Sequence, residues 1–531
     1  MSDDLAVSKL DEPAVEPAPA TSGPARGIHG PSSQHRDRGG PSGLIAWLLV
    51  AIAAVGMLAS TPTSAGPDEP VHMATAWYLS GNGLPPSSTA SFDVPESLWV
   101  NRLPCYAFYS DRTAGCLAPR STYQGMVPIS SDVVLNYPPP YFWVVGIGER
   151  LAALVGNKYA DIGGRLASFI LNFGALLLLS LYMRRRNPWW GTFLLLVSTP
   201  MAVFLGIVVN PNGWEITCGI AMAAALSEAV WSRRPIESDA WPKTATAILV
   251  LASIGLSTAR PLGFLWASGL TVSAIALAPT MPRRGSLARV ACAVAPGIIL
   301  GMFWLLTHIA SAGTIPGTTV TEPSTVPNLV RWFSESLLNN FPERLRQMFS
   351  SLGWLDTPMP QLLLLLNIAA WAVLLTRLPS IRRAAIVCGI FGILVVPSAI
   401  EALGWAAWPQ WWQGRYTLPF ALGFVLLLLL RSGRLIPRMI SIVSGISLLS
   451  LGVEVWVNAV RYAFGLNGWV LPASLGKPGI SPDKLGFSVA AGLLLVLVSA
   501  YVLVQASRSE PDRPPGLELE TLSTSSESNA G

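Results

Sequence analysis

Tyr141-Phe142-Trp143-Val144-Val145-Gly146-Ile147-Gly148-Glu149-Arg150-Leu151-Ala152-Ala153-Leu154-Val155-Gly156 is the stretch on which the topology turns. It is apolar, yet shorter than the roughly 20 residues a membrane-spanning helix needs. If it crosses, every later loop changes side. Basic clusters decide between the two cases. Arg184-Arg185-Arg186, then Arg233, Arg234 and Lys243, then Arg283, Arg284 and Arg289, then Arg377, Arg382 and Arg383, then Arg431, Arg434 and Arg438 fall in alternate loops. With the N-terminus inside and no crossing at 141–156, all five clusters are cytoplasmic, as the positive-inside rule requires. The stretch is therefore expected to lie in, or dip into, the outer interface. Glu149 and Arg150 suit such a helix better than a crossing one.

The composition agrees that lipid is the main solvent. The 531-residue chain is 51% hydrophobic and 12% charged, against about 25% charge in soluble chains. Its mean hydropathy is +0.48. The twenty Trp suit the headgroup level. The net charge of +5 comes mostly from the short Arg clusters, and no nucleic-acid motif accompanies it, so nucleic-acid partners are not expected.

Apolar runs at 44–60, 162–183, 190–209, 214–231, 244–258, 262–279, 290–310, 360–377, 384–403, 417–430, 439–458 and 487–506 predict an all-α polytopic membrane protein with about twelve crossings. Arg260-Pro261 splits what would otherwise be one overlong run. Residues 1–42 and 507–531 are polar and expected to be disordered cytoplasmic tails around a membrane domain at 43–506. The outer side then carries a large loop at 61–161 and smaller ones at 311–359, 404–416 and 459–486. Leu329 to Phe349 has the pattern of a second surface helix. Of five cysteines, Cys218, Cys292 and Cys388 belong to apolar runs. Cys105 and Cys116 share the first outer loop, where an oxidising compartment permits a disulfide. A zinc pair is less favoured, because no second Cys or His pair stands nearby.

Ionisable groups beside the membrane mark the candidate chemistry. Asp68 and Glu69 follow the first run, Pro70 can open a helix, and His72 lies one turn on. The group is either a capped helix start or a general base or metal ligand. Tyr137-Pro138-Pro139-Pro140-Tyr141 precedes the interfacial helix as a polyproline stop, and its tyrosines could form a sugar-stacking wall. Arg165 reads as an interface anchor. Asn210-Pro211-Asn212-Gly213 is a turn, with Glu215 just beyond it. Arg260, deep in an apolar hairpin, needs an anion: a phosphate, which suits its fork, or Glu215. Asp356 and Gln413-Gly414-Arg415-Tyr416 lie at outer ends of later runs, where the Gly permits close approach beside a cation.

Pro67-Asp68-Glu69-Pro70-Val71-His72, the loop cysteines, Tyr137-Pro138-Pro139-Pro140-Tyr141, Asn210-Pro211-Asn212, Gly353-Trp354-Leu355-Asp356-Thr357-Pro358 and Gln413-Gly414-Arg415-Tyr416 occur in that order. Over about residues 44–506 this ordered set resembles the bacterial predicted membrane proteins called domain of unknown function 2142. That family in turn looks like the GT-C superfamily of polyprenyl-phosphate-dependent glycosyltransferases, such as protein mannosyltransferases and aminoarabinose transferases. The resemblance implies a GT-C-like architecture with interfacial helices in the first outer loop, opened here at Pro138-Pro139. It also implies an acidic pair in that loop, matched by Asp68 and Glu69, and a basic residue near the lipid phosphate, matched by Arg260. Members often carry an acid where this chain has Asn212, with Glu215 nearby.

The expected activity is transfer of a sugar from a polyprenyl-phosphate donor to an envelope glycan, lipid or protein acceptor, on the outer face of the cell membrane. Asp68 and Glu69 are the candidate catalytic acids. Arg260 and Arg415 are the candidate donor-phosphate contacts. His72, Tyr137, Tyr141, Asn212, Glu215, Asp356, Gln413 and Tyr416 are candidate lining residues. A divalent metal ion on Asp68, Glu69 or His72 could share the phosphate charge, though nothing requires one. A transporter or flippase of lipid-linked saccharides explains the runs and Arg260 equally well, but not the large cysteine-bearing loop beside a carboxylate pair. A non-catalytic scaffold for envelope assembly is a further alternative.

Overall fold

A computed structural model describes residues 42–99, 102–231, 243–308, 325–376, 382–404, 411–431, 436–467, 471–473 and 476–508. The expected tails at 1–42 and 507–531 fall almost wholly outside these residues.

Each of the twelve apolar runs coincides with helix. Among the described residues six helices are long and apolar enough to cross a membrane: Gly43–Ser60, Asn157–Met183, Arg284–His308, Arg383–Gly404, Pro437–Phe464 and Pro482–Arg508. A seventh is reached if the pair Trp190–Val197 and Pro200–Ile207 forms one bent span. Helices Lys243–Ala259, Gly263–Ala276, Gln361–Leu374 and Leu418–Arg431 are apolar but shorter. Length and composition therefore support six or seven spans, below the expected dozen.

Local chemistry explains the breaks. The run 190–209 bends by 77°, because Pro200 has no N–H for the preceding turn and Thr199 caps the next helix through Ala202 N. The hairpin opens where expected, between Lys243–Ala259 and Gly263–Ala276. The expected helix from Leu329 to Phe349 is two, Val326–Leu338 and Phe341–Phe349, with Pro342 in the first turn of the second. Residues 309–324 of that loop lie outside the described residues.

The stretch at 141–156 forms one helix, Pro140–Ala153, of 14 residues. At about 1.5 Å per residue it falls short of the roughly 30 Å hydrocarbon core. It packs on Glu69–Asn82 and on Ala160–Met183. Glycines allow the approach: a Cβ on Gly148 would stand 2.6 Å from Gly163 O. Trp143, Val144, Ile147 and Leu151 form an exposed apolar face. The expectation for its polar residues needs correction. Glu149 is fully buried and neither carboxylate oxygen has a hydrogen-bond partner. Arg150 folds back to Ser80 Oγ (2.8 Å), Trp77 O (2.7 Å) and the Trp77 ring.

The fold is also not purely helical. The loop 61–161 contains an antiparallel hairpin pairing Ser91–Pro95 with Met126–Ser130, and Cys105 and Cys116 form a disulfide within it. Leu418–Arg431 is buried on nearly every side, as a helix apolar all round should be. It runs through the main core with the broken pair and Pro211–Trp231. The candidate site lies where loops leave the ends of these helices.

Candidate active site

The segment 61–69 sets the site. Asn458 Nδ2 donates to Ser60 Oγ and Thr61 Oγ1 at the end of the first helix. Ser64 and Asp68 both take left-handed φ, 64° and 60°, a conformation Asp tolerates better than most residues. Helix Glu69–Asn82 begins directly after, with Asp68 as N-cap but without a side-chain cap bond. The capped-start alternative is therefore not realised by Asp68. Its left-handed turn instead sends two adjacent carboxylates into different surroundings.

Glu69 is fully buried. It accepts from Arg165 Nε (2.7 Å) and Nη2 (2.6 Å), Gly66 N (3.0 Å) and Val209 N (3.1 Å). Arg165 also donates to Thr61 O and Pro62 O. Arg165 is thus the buried partner of Glu69, not an interface anchor. The bidentate pair joins the 61–69 loop to helix Ala160–Met183 and to the loop before Pro211–Trp231. Asn210 Nδ2 adds a bond to Pro67 O at 3.0 Å.

Asp68 behaves differently. Its side chain is 52% exposed, and its Oδ2 lies 2.7 Å from Arg415 Nη2. Burial alone would raise its carboxyl, but Arg415, with Arg260 behind it, outweighs that and holds it below its ordinary value. Arg415 is 1% exposed. It also donates to Tyr416 OH at 3.2 Å, while its Nε and Nη1 have no partner. A buried guanidinium with two idle donors is an anion seat. The Gln413–Tyr416 loop is fastened from behind: Gly414 N donates to Gln347 Oε1 (2.8 Å) and Trp412 N to Glu401 Oε1 (2.9 Å). A Cβ at Gly414 would collide with Arg344 O. The glycine therefore serves contact with helix Phe341–Phe349.

Arg260 completes the cationic side. Its Nη2 donates to Tyr137 OH (3.1 Å) and its Nη1 to Asn212 Oδ1 (2.9 Å). The guanidinium lies 5.4 Å from the Tyr137 ring centre and 4.1 Å from that of Tyr416, near enough for cation–π attraction. Glu215 reaches Arg260 only through Asn212, whose Nδ2 donates to Glu215 Oε2 at 3.1 Å. A direct Arg260–Glu215 ion pair is absent among the described residues, so Arg260 keeps its charge available. Arg415 and Arg260 outweigh the burial of Tyr416 and hold its phenol below the usual value. Burial dominates at Tyr137 and raises it.

His72 is 4% exposed, with its ring 6.0 Å from Tyr137 and 5.9 Å from Phe142. Burial, with Arg260 and Arg415, lowers its pKa to about 3 despite Asp68. Its Nδ1 has no partner. Gln413 Oε1 is likewise buried and unpartnered.

The structure thus brings Asp68, His72, Tyr137, Asn212, Arg260, Arg415 and Tyr416 into one connected group. Three expectations need correction. Tyr141 is 1% exposed with its OH 3.2 Å from Ser168 Oγ; packing between helices turns it into the core. Asp356 pairs with Arg461 at 3.0 Å and accepts from Thr357 Oγ1, in a separate cluster. Asp68, Glu69 and His72 do not converge on a metal site, because Arg165 and backbone N–H groups occupy both oxygens of Glu69. Among the described residues no group of three His, Cys, Asp or Glu could hold an ion. Sequence reasoning missed Arg461, buried near the end of helix Pro437–Phe464. The run was drawn only to 458, whereas the helix continues to Phe464, so the apolar neighbours Val460 and Tyr462 around the charge were the available signal.

The family model described as Predicted membrane protein (DUF2142) matches residues 50–424, and the chain belongs to that family. The matched region ends well before 506. No curated protein matches the chain. Among solved structures, the chain is similar to ArnT from Cupriavidus metallidurans in the apo state, with TM-score 0.43 and 14% identity, over 88% of this chain and 72% of that one.

Proposed function

We propose that this DUF2142 member is a membrane glycosyltransferase that moves a sugar from a polyprenyl-phosphate donor to a hydroxyl of an envelope acceptor, on the outer face of the cell membrane. The observation that carries this reading is the pairing of half-exposed Asp68 with buried Arg415, which still has two free N–H donors and Arg260 close by. A base beside a guanidinium with donors to spare is what phosphate departure during glycosyl transfer requires.

In the proposed step Asp68 accepts the proton of the acceptor hydroxyl. The hydroxyl oxygen bonds to the anomeric carbon, and the bond from that carbon to the phosphate oxygen breaks. The phosphate leaves with the electron pair and settles on Arg415 and Arg260. Because Asp68 is held below its ordinary pKa, it is a weak base, so the proton moves late, when the phosphate bond is largely broken. Arg415 can keep Nη2 on Asp68 while either Nε or Nη1 donates to the phosphate, so base and leaving-group site stay in register. Tyr137 and Tyr416 position Arg260 and offer ring faces to the sugar. Glu69 holds the loop in shape through Arg165.

On this reading the helix Pro140–Ala153 rests its exposed apolar face in the outer interface, and both termini are cytoplasmic. The test is a reconstituted assay with a labelled polyprenyl-phosphate sugar and membrane acceptors. Covalent transfer that disappears in Asp68→Asn supports the proposal. Movement of the labelled lipid across the bilayer without transfer would replace it with a flippase.

A further inference from the structure

A second pocket stands apart from Asp68. A cleft of about 330 Å³ opens between the last residues of Gly43–Ser60 and the first turn of Pro482–Arg508, with the disulfide loop as its third wall. That volume is at the lower end of small-ligand sites. Both helices are among the six long and apolar enough to cross a membrane. The cleft therefore lies where two such helices give way to loops, at the level of lipid headgroups.

Two cations line it, Arg120 and Lys484. Arg120 is bidentate to Asp161 and donates to Thr63 Oγ1 at 3.0 Å. Its charge is balanced. Lys484 makes no ion pair among the described residues. Asp161 is committed to Arg120 and also accepts from Thr63 Oγ1 at 2.5 Å. The cleft thus keeps one uncompensated positive charge beside polar hydroxyls. The segment 61–63 forms its back wall, with Thr61 O and Pro62 O facing Arg165, so the cleft does not merge with the group around Asp68.

A cation at the membrane surface attracts anionic phosphate headgroups. We propose that this cleft binds the phosphate of an anionic lipid headgroup, with the Lys484 ammonium as its principal contact and Arg120 beside it. The proposal does not depend on glycosyl transfer.

The full-length purified protein can be tested by native mass spectrometry and thermal melting with phosphatidylglycerol or phosphatidylcholine. Phosphatidylglycerol should be retained preferentially and raise Tm. Lys484→Gln should weaken retention about fivefold, the loss of one cation near a phosphate, and Lys484→Arg should restore it. If Lys484→Gln folds poorly, Ser481→Glu, which places a negative charge in the same cleft, should have the same effect. A parallel arm uses inorganic phosphate. Stabilisation by it with the same Lys484 dependence supports the phosphate site and assigns its source to a soluble anion; displacement of phosphatidylglycerol without such stabilisation supports the lipid. Equal retention of the two lipids, or phosphatidylglycerol binding indifferent to Lys484→Gln and Ser481→Glu, overturns the proposal.

Discussion

Arg415 and Asp68, 347 positions apart in sequence, meet at 2.7 Å. The contact orients the one acid of the 61–69 loop that a hydroxyl could reach. It leaves two donors of the same guanidinium unused. The neighbouring acid, Glu69, is spent on Arg165, so adjacent carboxylates have separate physical roles, and substitutions should separate them.

Glu69→Gln should leave Arg165 as a buried charge with half its partners. Breaking such a pair costs about 3–5 kcal/mol. A large fall in Tm or failure to accumulate is expected. Asp68→Asn removes an acid that solvent still reaches, though its partner Arg415 is buried, so it should melt closer to wild type than Glu69→Gln yet lose transfer. Comparable melting of the two variants would refute the division.

Arg415→Lys keeps the charge but removes the planar fork that serves carboxylate and phosphate together. Transfer should drop by about 10²–10³, the usual loss for one preorganised donor. Arg260→Lys should act mainly on donor KM, since its Tyr137 and Asn212 contacts position rather than neutralise. Steady-state kinetics with varied donor separate the two; near-normal kcat in Arg415→Lys would remove it from the leaving-group site.

The pH dependence of stability should carry the mark of His72. Its ring stays neutral down to about pH 3 in the fold, against 6.5 ordinarily. The unfolded chain therefore binds the extra proton first. The stability from the neutral ring is complete above pH 6.5 and lost as pH falls from there toward 3. His72→Phe should flatten Tm against pH between 7.5 and 4.5. An unchanged slope would mean that other groups set it.

Glu149 offers the opposite sign. Burial raises its carboxyl well above the usual range, against the pull of Arg150. The cost of keeping it protonated grows as pH rises past its ordinary 4.5. Glu149→Met should therefore stabilise the protein by about 1–3 kcal/mol at neutral pH, with less gain in acid. Destabilisation in melting experiments at pH 7.5 would show that the carboxyl has a role the fold depends on.

Gly414→Ala would push a Cβ against Arg344 O and to 2.9 Å from Gln347 Cβ. Overpacking of this kind costs about 1–3 kcal/mol. Because Arg415 is the next residue, transfer should fall further than the lost folded fraction explains. Activity measured per folded molecule is the discriminating quantity.

Much of the framework was legible because it depends on near neighbours in sequence. Arg260-Pro261 breaks a run by missing hydrogen bonds alone, and Pro140 starts a helix that ends at Ala153. Pro200 was equally visible, but the 77° bend was not, since its size depends on packing. The hairpin at 91–95 and 126–130 escaped notice because its strands are short and joined by a long loop. At the site, Asp68, Arg260 and Arg415 stood out as charges beside apolar runs. The partners of Glu69, Asp356 and Tyr141 did not, since nothing local distinguishes an acid that meets an arginine from one that meets solvent.

The chain read residue by residue was enough to determine a membrane protein of many apolar helices, the break at Arg260-Pro261 and the pair of loop cysteines. These follow from solvation and backbone geometry, which act residue by residue. Only the tertiary structure decided that Asp68 is open and Glu69 closed, that Asn212 stands between Glu215 and Arg260, and that Arg415 keeps donors free. Those outcomes are set by which distant groups share a low-dielectric space, and burial and pairing depend on contacts that run across hundreds of residues.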